Sequence, residues 1–175
     1  MKALIITAPL AQDQELIYPL YRLQEEGWSV DVAVRGCAET RCFHGVPIRP
    51  DIDIPAQPTG YDLLVIPGGV KAMEKLRLDE GAVALVRAFH REGKMIASIC
   101  SGAQMLISAD LCRGRTIAAY DAMRVDVENA GGVWSGAPAV ISDRIVTSPH
   151  YKYVGDWMKA VFVALDYDRE TVVVV

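Results

Sequence analysis

Short runs of consecutive apolar residues alternate along the chain with stretches whose apolar positions recur at helical spacing. The runs are Ala3 to Ile6, Val30 to Val34, Leu63 to Ile66, Met95 to Ile99 and Thr116 to Ala119. Their hydrophobicity is continuous rather than alternating, which suits parallel strands covered on both faces. Between them, Leu16, Leu20 and Leu23 share one face of a helix that Gly27 stops. Asp79 is placed to cap a second helix, which carries Val83, Val86 and Phe89 inward and ends at Gly93. A third helix begins at Cys100 or Ser101. The last is the clearest, with Val154, Trp157, Met158, Val161, Phe162 and Leu165 on one stripe.

Three segments depart from this alternation. Residues 37–60 are rich in Gly, Pro and Asp and predict a small β excursion around Phe43 to Ile48. Ala139 to Ile141 and Ile145 to Thr147 flank Ser142-Asp143-Arg144 and read as a β-hairpin. The terminal Thr171 to Val175 run is strand-like. A bare β-branched tail invites aggregation, so it is expected to be covered, as an edge strand or against another subunit. With no internal repeat and no low-complexity linker, residues 1–175 predict one α/β domain on a doubly wound parallel sheet. Ligands of such sheets sit outside the carboxyl ends of the strands. Chemistry is expected on that rim.

Composition narrows the function classes. A chain of 175 residues is long enough to bury about 70% of its unfolded surface. Lys and Arg (18) against Asp and Glu (22) leave a net charge of −4, with no basic footprint for nucleic acid and none for an anionic membrane. The opening apolar run is short, follows a single Lys and is cut by Pro9, so it reads as a buried strand rather than a signal peptide. No stretch approaches the roughly 20 apolar residues of a bilayer span. The expected location is the cytoplasm. Cys37, Cys42, Cys100 and Cys112 lack metal-type pairing and should be free thiols in a reducing compartment. Cys37 and Cys42 are near enough to bridge, or to join His44 at a metal. Loop and strand thiols without a role are the simpler reading, and no metal or cofactor is expected.

Cys100 stands out because of its position. The strand Met95 to Ile99 runs straight into Cys100-Ser101-Gly102-Ala103-Gln104, the pattern of a nucleophile elbow closed by a glycine. Helix amides and the dipole aimed at the sulfur are expected to lower its pKa. A buried structural cysteine is the alternative. Pro67-Gly68-Gly69 follows another strand and is placed to line the crevice and to offer a backbone N–H which, with that of Ser101, would form an oxyanion hole. A plain βα turn is the alternative there. Glu15 lies just beyond the first strand, either as a solvated first-turn acid or as a carboxyl facing the sulfur. Shielded from water, its pKa would rise and the two groups would titrate as a pair.

At these residues the sequence resembles the PfpI family of intracellular protease-like proteins, within the ThiJ/PfpI superfamily. The matching segments are QELIYPLYRLQEEGWSVDVA around Glu15, YDLLVIPGG at 61–69 and RLDEGAVALVRAFHREGKMIASICSGAQML at 77–106, followed by DVENAGGVW at 126–134 and RIVTS at 144–148. The resemblance implies a flavodoxin-like, class I glutamine amidotransferase-like fold. It implies Cys100 as nucleophile, Glu15 as its carboxyl partner and Gly69 with Ser101 as oxyanion amides. It also implies a homo-oligomer in which Glu74 reaches a neighbour's site, against a surface charge as the plain alternative, and Tyr120 as an aromatic of the pocket rather than the core.

One departure matters. Members with peptidase character follow the cysteine with His, and here that residue is Ser101. An amine leaving group needs a proton donor, and the remaining candidate is His150 in TSPHYKYVGDW, whose alternative is a structural or surface histidine. His44 and His90 have no supporting context. Thiolate addition to an aldehyde expels nothing, which favours glyoxalase- or deglycase-like chemistry on a small carbonyl or amide-like substrate over proteolysis. Two other readings stay open. One is isonitrile hydratase-like hydration with Ser101 acting directly. The other is a redox-sensing or stress-protective protein without turnover.

Overall fold

Leu63 to Ile66 is apolar at every position and wholly buried, as a strand covered on both faces must be. It lies inside a six-stranded sheet. The computed structural model describes residues 1–167, so the Thr171 to Val175 run lies outside the described residues. In chain order the elements are β1 (Lys2–Thr7), α1 (Asp13–Glu25), β2 (Ser29–Val34), β3 (Thr40–Arg41), β4 (Pro47–Ile48), β5 (Leu63–Ile66), α2 (Val70–Leu76) and α3 (Glu80–Arg91). They continue as β6 (Met95–Ile99), α4 (Ala103–Ser108), β7 (Thr116–Ala118), α5 (Arg124–Asn129), β8 (Val133–Ser135), β9 (Val140–Ser142), β10 (Ile145–Ser148) and α6 (Val154–Tyr167).

The sheet order is β2-β1-β5-β6-β10-β9, parallel throughout except for β9 at the edge. Val32, Ile5, Val65, Ala97 and Val146 form one row across the five parallel strands, and every one is buried. Helices α1 and α6 pack together on one face, while α4 contacts both α2 and α3 on the other. Trp157 of α6 is fully buried, and its indole N–H donates to the Val146 carbonyl at 3.3 Å, fixing the last helix on the sheet.

This is the doubly wound, flavodoxin-like, class I glutamine amidotransferase-like fold, with two differences from the sequence reading. The run at Thr116 to Ala119 does not enter the main sheet. Its strand β7 pairs in parallel with β8 in a separate ribbon, which is tied to the sheet where the Ala118 N–H donates to Thr147 Oγ1 at 2.9 Å. Hydrophobicity reported burial there, not the partner strand. The fifth parallel strand is instead β10, the second arm of the hairpin at 140–148, so that hairpin completes the sheet. The small excursion at 40–48 is the separate hairpin β3–β4, with Phe43 in its turn.

The chain leaves β1 toward β2 on one side and proceeds from β5 to β6 and β10 on the other. The strand order therefore reverses between β1 and β5, and a crevice opens beyond their carboxyl ends. Among the described residues no helix is long and apolar enough to cross a membrane.

Candidate active site

Cys100 is the first residue after β6, and its backbone is left-handed, with φ +58°. A 3-10 turn over Cys100–Gly102 leads into α4. Non-glycine residues pay on the order of 1 kcal/mol for that conformation. The turn is also closely packed: a Cβ on Gly102 would lie 2.6 Å from the Ile66 carbonyl oxygen and 2.8 Å from Ser98 Oγ. Leu10, in the loop after β1, is left-handed as well, with φ +70°, and lines the same cavity as Cys100. Strain at two non-glycine residues on one cavity marks a site held against local preference.

Glu15, in the first turn of α1, is fully buried, and the Gly68 N–H donates to its Oε2 at 2.8 Å. Only glycine fits between the two reactive groups. A Cβ at Gly68 would stand 2.4 Å from Glu15 Oε2 and 2.9 Å from Cys100 Cβ. Burial pushes the Glu15 carboxyl up to about 7, against the Gly68 N–H, the Cys100 thiol and the Tyr151 backbone N–H, which favour its ionised form.

The Cys100 thiol moves the opposite way from the sequence expectation. Burial pushes it up, the Glu15 charge pushes it further, and the Ser101 backbone N–H pulls it down without prevailing. The helix that follows is only six residues long and stands behind a 3-10 turn, so its dipole does not outweigh dehydration. Once Glu15 holds the proton its charge is gone. Thiol and carboxyl therefore titrate as a coupled pair.

The cavity above the sulfur holds about 360 Å³ and is lined by Leu10, Gln12, Phe43, Gly69, Val70, Lys71, Cys100, Tyr120, His150 and Tyr151. Gly69, with φ +100°, lets the loop after β5 press on the loop after β1, where the Gln12 N–H donates to the Gly68 carbonyl at 3.1 Å. The Tyr120 N–H donates to the Cys100 carbonyl at 3.4 Å, which puts the phenol at the mouth of the cavity. The His150 ring stacks on Tyr151 at 4.1 Å and lies 6.4 Å from Tyr120. His150 Nδ1 accepts from the Lys152 N–H at 3.2 Å, leaving the ring proton of the neutral form on Nε2.

The fold thus brings Cys100, Glu15, Gly68, Gly69, Ser101, Tyr120 and His150 to one place. Glu74 is not among them: it sits on the exposed side of α2, paired with Lys71 at 2.9 Å, outside the lining of its own chain's cavity. His44 donates its backbone N–H to Asp13 Oδ2, and His90 meets Arg115 at 3.2 Å, away from the cavity. Cys37 is exposed, whereas Cys42 and Cys112 are buried. Among the described residues no three His, Cys, Asp or Glu side chains are grouped to hold a metal ion. Leu10, Gln12, Phe43, Val70, Lys71 and Tyr151 were not singled out from sequence. Val70 and Tyr151 adjoin residues that were, but Phe43 arrives from a distant hairpin with no local signal.

A dehydrated thiol beside a carboxyl that titrates near neutrality can add to an electrophilic carbon and keep the displaced proton at hand. The chain as a whole is similar to known proteins. A family model described as DJ-1/PfpI matches residues 1–164. Deglycase TK1284 of Thermococcus kodakarensis is 41% identical over 160 residues, covering 91% of this chain and 96% of its own. Deglycase PfpI of Pyrococcus furiosus is 39% identical over the same length, with the same coverage. Among solved structures, a two-domain protein of Anabaena variabilis with DJ-1/ThiJ/PfpI-like and ferritin-like domains superposes with a TM-score of 0.88 at 27% identity. That match covers 95% of this chain and about half (48%) of the larger one. By the reach of the family match and the near-complete alignment with both deglycases, the chain belongs to the DJ-1/PfpI family.

Proposed function

We propose that the chain is a cysteine-dependent enzyme that acts on a small carbonyl or amide-like substrate, with glyoxalase- or deglycase-like chemistry. The observation that carries the reading is the buried Glu15 carboxyl, titrating near 7, across Gly68 from a strained Cys100 at the base of an open cavity. Relatives named deglycase support the same class.

In this reading the Cys100 sulfur bonds to the carbonyl carbon as the π pair moves onto oxygen. Glu15 accepts the thiol proton and returns it to that oxygen, giving a hemithioacetal with every atom retained. The Gly69 and Ser101 backbone N–H groups are the proposed stabilisers of the transient oxyanion. An amide substrate adds a demand, because its departing amine must be protonated. The Ser101 hydroxyl is a poor acid for that step, and His150, on the cavity wall, is the proposed donor in its imidazolium form. Aldehyde addition makes no such demand, which favours it over peptide hydrolysis. The proposal includes a homo-oligomer in which Glu74 serves a neighbour's cavity. Its exposed place on α2, whose first residues line the pocket, supports this.

The test is consumption of methylglyoxal and of a glycated amine by the full chain. Turnover is expected to fall on the order of a hundredfold or more in Cys100→Ser, and to fall in Glu74→Ala with assembly unchanged. Absence of turnover on both substrates, with Cys100 still oxidised by peroxide, would overturn the enzyme reading in favour of a redox sensor. Full activity in an assembled Glu74→Ala variant would remove Glu74 alone.

A further inference from the structure

The hairpin β3–β4 is held to the loop after β1 more firmly than a surface turn requires. The Leu10 N–H donates to the Arg41 carbonyl at 2.8 Å, the Phe43 N–H to the Ala11 carbonyl at 2.8 Å, and the His44 N–H to Asp13 Oδ2 at 2.9 Å. Asp13 is only 5% exposed, and its other carboxyl oxygen has no hydrogen-bond partner among the described residues. A carboxylate buried to hold one turn amide is an expensive anchor. Cys42, next to Phe43, is buried too, so the tip is pinned from below.

What the anchor presents is a phenyl ring. Phe43 is 66% exposed and lines the rim of the Cys100 cavity. The other two phenylalanines behave conventionally, Phe89 being fully buried and Phe162 packing on the core. An edge contact with the His44 imidazole, 5.0 Å between centroids at 83°, holds the Phe43 ring on the rim. Exposed Leu10 and Val70 add further apolar lining to the cavity. Exposed apolar side chains gathered around one concave site mark a place where an apolar group is bound.

We propose that Phe43 is a specificity-determining wall of this cavity, and that preferred substrates carry a flat or bulky apolar group, such as a phenyl, beside the reacting carbon. Asp13 is its positioning residue. The inference rests on Cys100 being the accessible reactive thiol of the proposed function, but not on turnover.

Alkylation rates of Cys100 by N-phenylmaleimide and N-ethylmaleimide test it in the full chain, followed by mass spectrometry of the Cys100 peptide so that exposed Cys37 does not contribute. The phenyl-to-ethyl rate ratio is expected to exceed that of glutathione and to drop about fivefold in Phe43→Ala, the scale of one aromatic contact. Asp13→Ala should lower the ratio as well, and Asp13→Asn, which keeps an acceptor for the His44 N–H, should restore it. A measurable ratio equal to that of glutathione, or one unaffected by Phe43→Ala, overturns this proposal alone. Failure of both reagents to reach Cys100 overturns the reactive-thiol reading and this inference with it.

Discussion

Glu15 and Cys100 face each other across a gap that admits no side chain, so the proton they exchange stays between them. Below about pH 7 the pair holds two protons and the sulfur is neutral. Burial of Glu15 places the first loss of a proton near 7, after which one proton is shared and thiolate beside protonated carboxyl becomes accessible. The rate of Cys100 alkylation by iodoacetamide is therefore expected to rise with pH through about 7, well below an ordinary free thiol. In Glu15→Gln that step should vanish, leaving reactivity that climbs only in the alkaline range. An identical pH profile in both proteins would show that another group sets the ionisation. The two residues were identifiable from sequence by their positions after β1 and β6. The upward push on the thiol was not, because it depends on how completely the assembled loops dehydrate the sulfur itself, with the Glu15 charge adding to it.

Helix α3 shows the same physics in an element away from the cavity. Asp79 caps it, Oδ1 accepting from the Ala82 N–H at 3.1 Å, and the same carboxylate takes the Arg35 fork at 2.6 and 3.1 Å. The cap thereby fastens the start of α3 to the end of β2. Asp79→Ala is expected to cost about 1–2 kcal/mol. Asp79→Ser, which keeps a capping oxygen and loses only a half-exposed ion pair, should cost less than about 1 kcal/mol. Urea unfolding with unchanged m-values checks both, and equal losses would mean that Arg35, not the cap, carries the effect. This cap, like the buried runs of β1, β5 and β6, is written in local residue types. What stayed illegible lacks a local code. Helix α2 has seven residues and no capping side chain, since Gly69 precedes it. The three residues of β7 report burial but not that β8 is their partner. Phe43 reaches the rim only through hydrogen bonds to residues some thirty positions away.

At the scale of the molecule, one carboxyl ties conformational stability to pH. Unfolded, Glu15 ionises near 4.5; folded, near 7. Between those values the folded chain keeps a proton that the unfolded chain releases, so stability falls as pH rises through this range and levels off above it. The loss is on the order of 3 kcal/mol, a sizeable share of the 5–15 kcal/mol typical of folded proteins. Asp31, Asp53 and Asp79 are shifted downward by their hydrogen bonds and cationic neighbours. Their contributions are lost only as pH falls below the ordinary carboxylate range, on the opposite side of the range from the Glu15 effect. Glu15→Gln stays uncharged and still offers an oxygen to the Gly68 N–H. It is expected to melt close to the wild type near pH 4.5 and to be more stable at pH 8 by about 1–3 kcal/mol, while losing the neutral-pH reactivity of Cys100. Calorimetric melts at both pH values decide it. A variant that keeps the wild-type slope would mean that Glu15 is ionised and solvated in the folded chain, and a buried proton store beside Cys100 would not exist. A variant both more stable and less reactive would show that the chain holds this carboxyl dehydrated at the expense of its own folding.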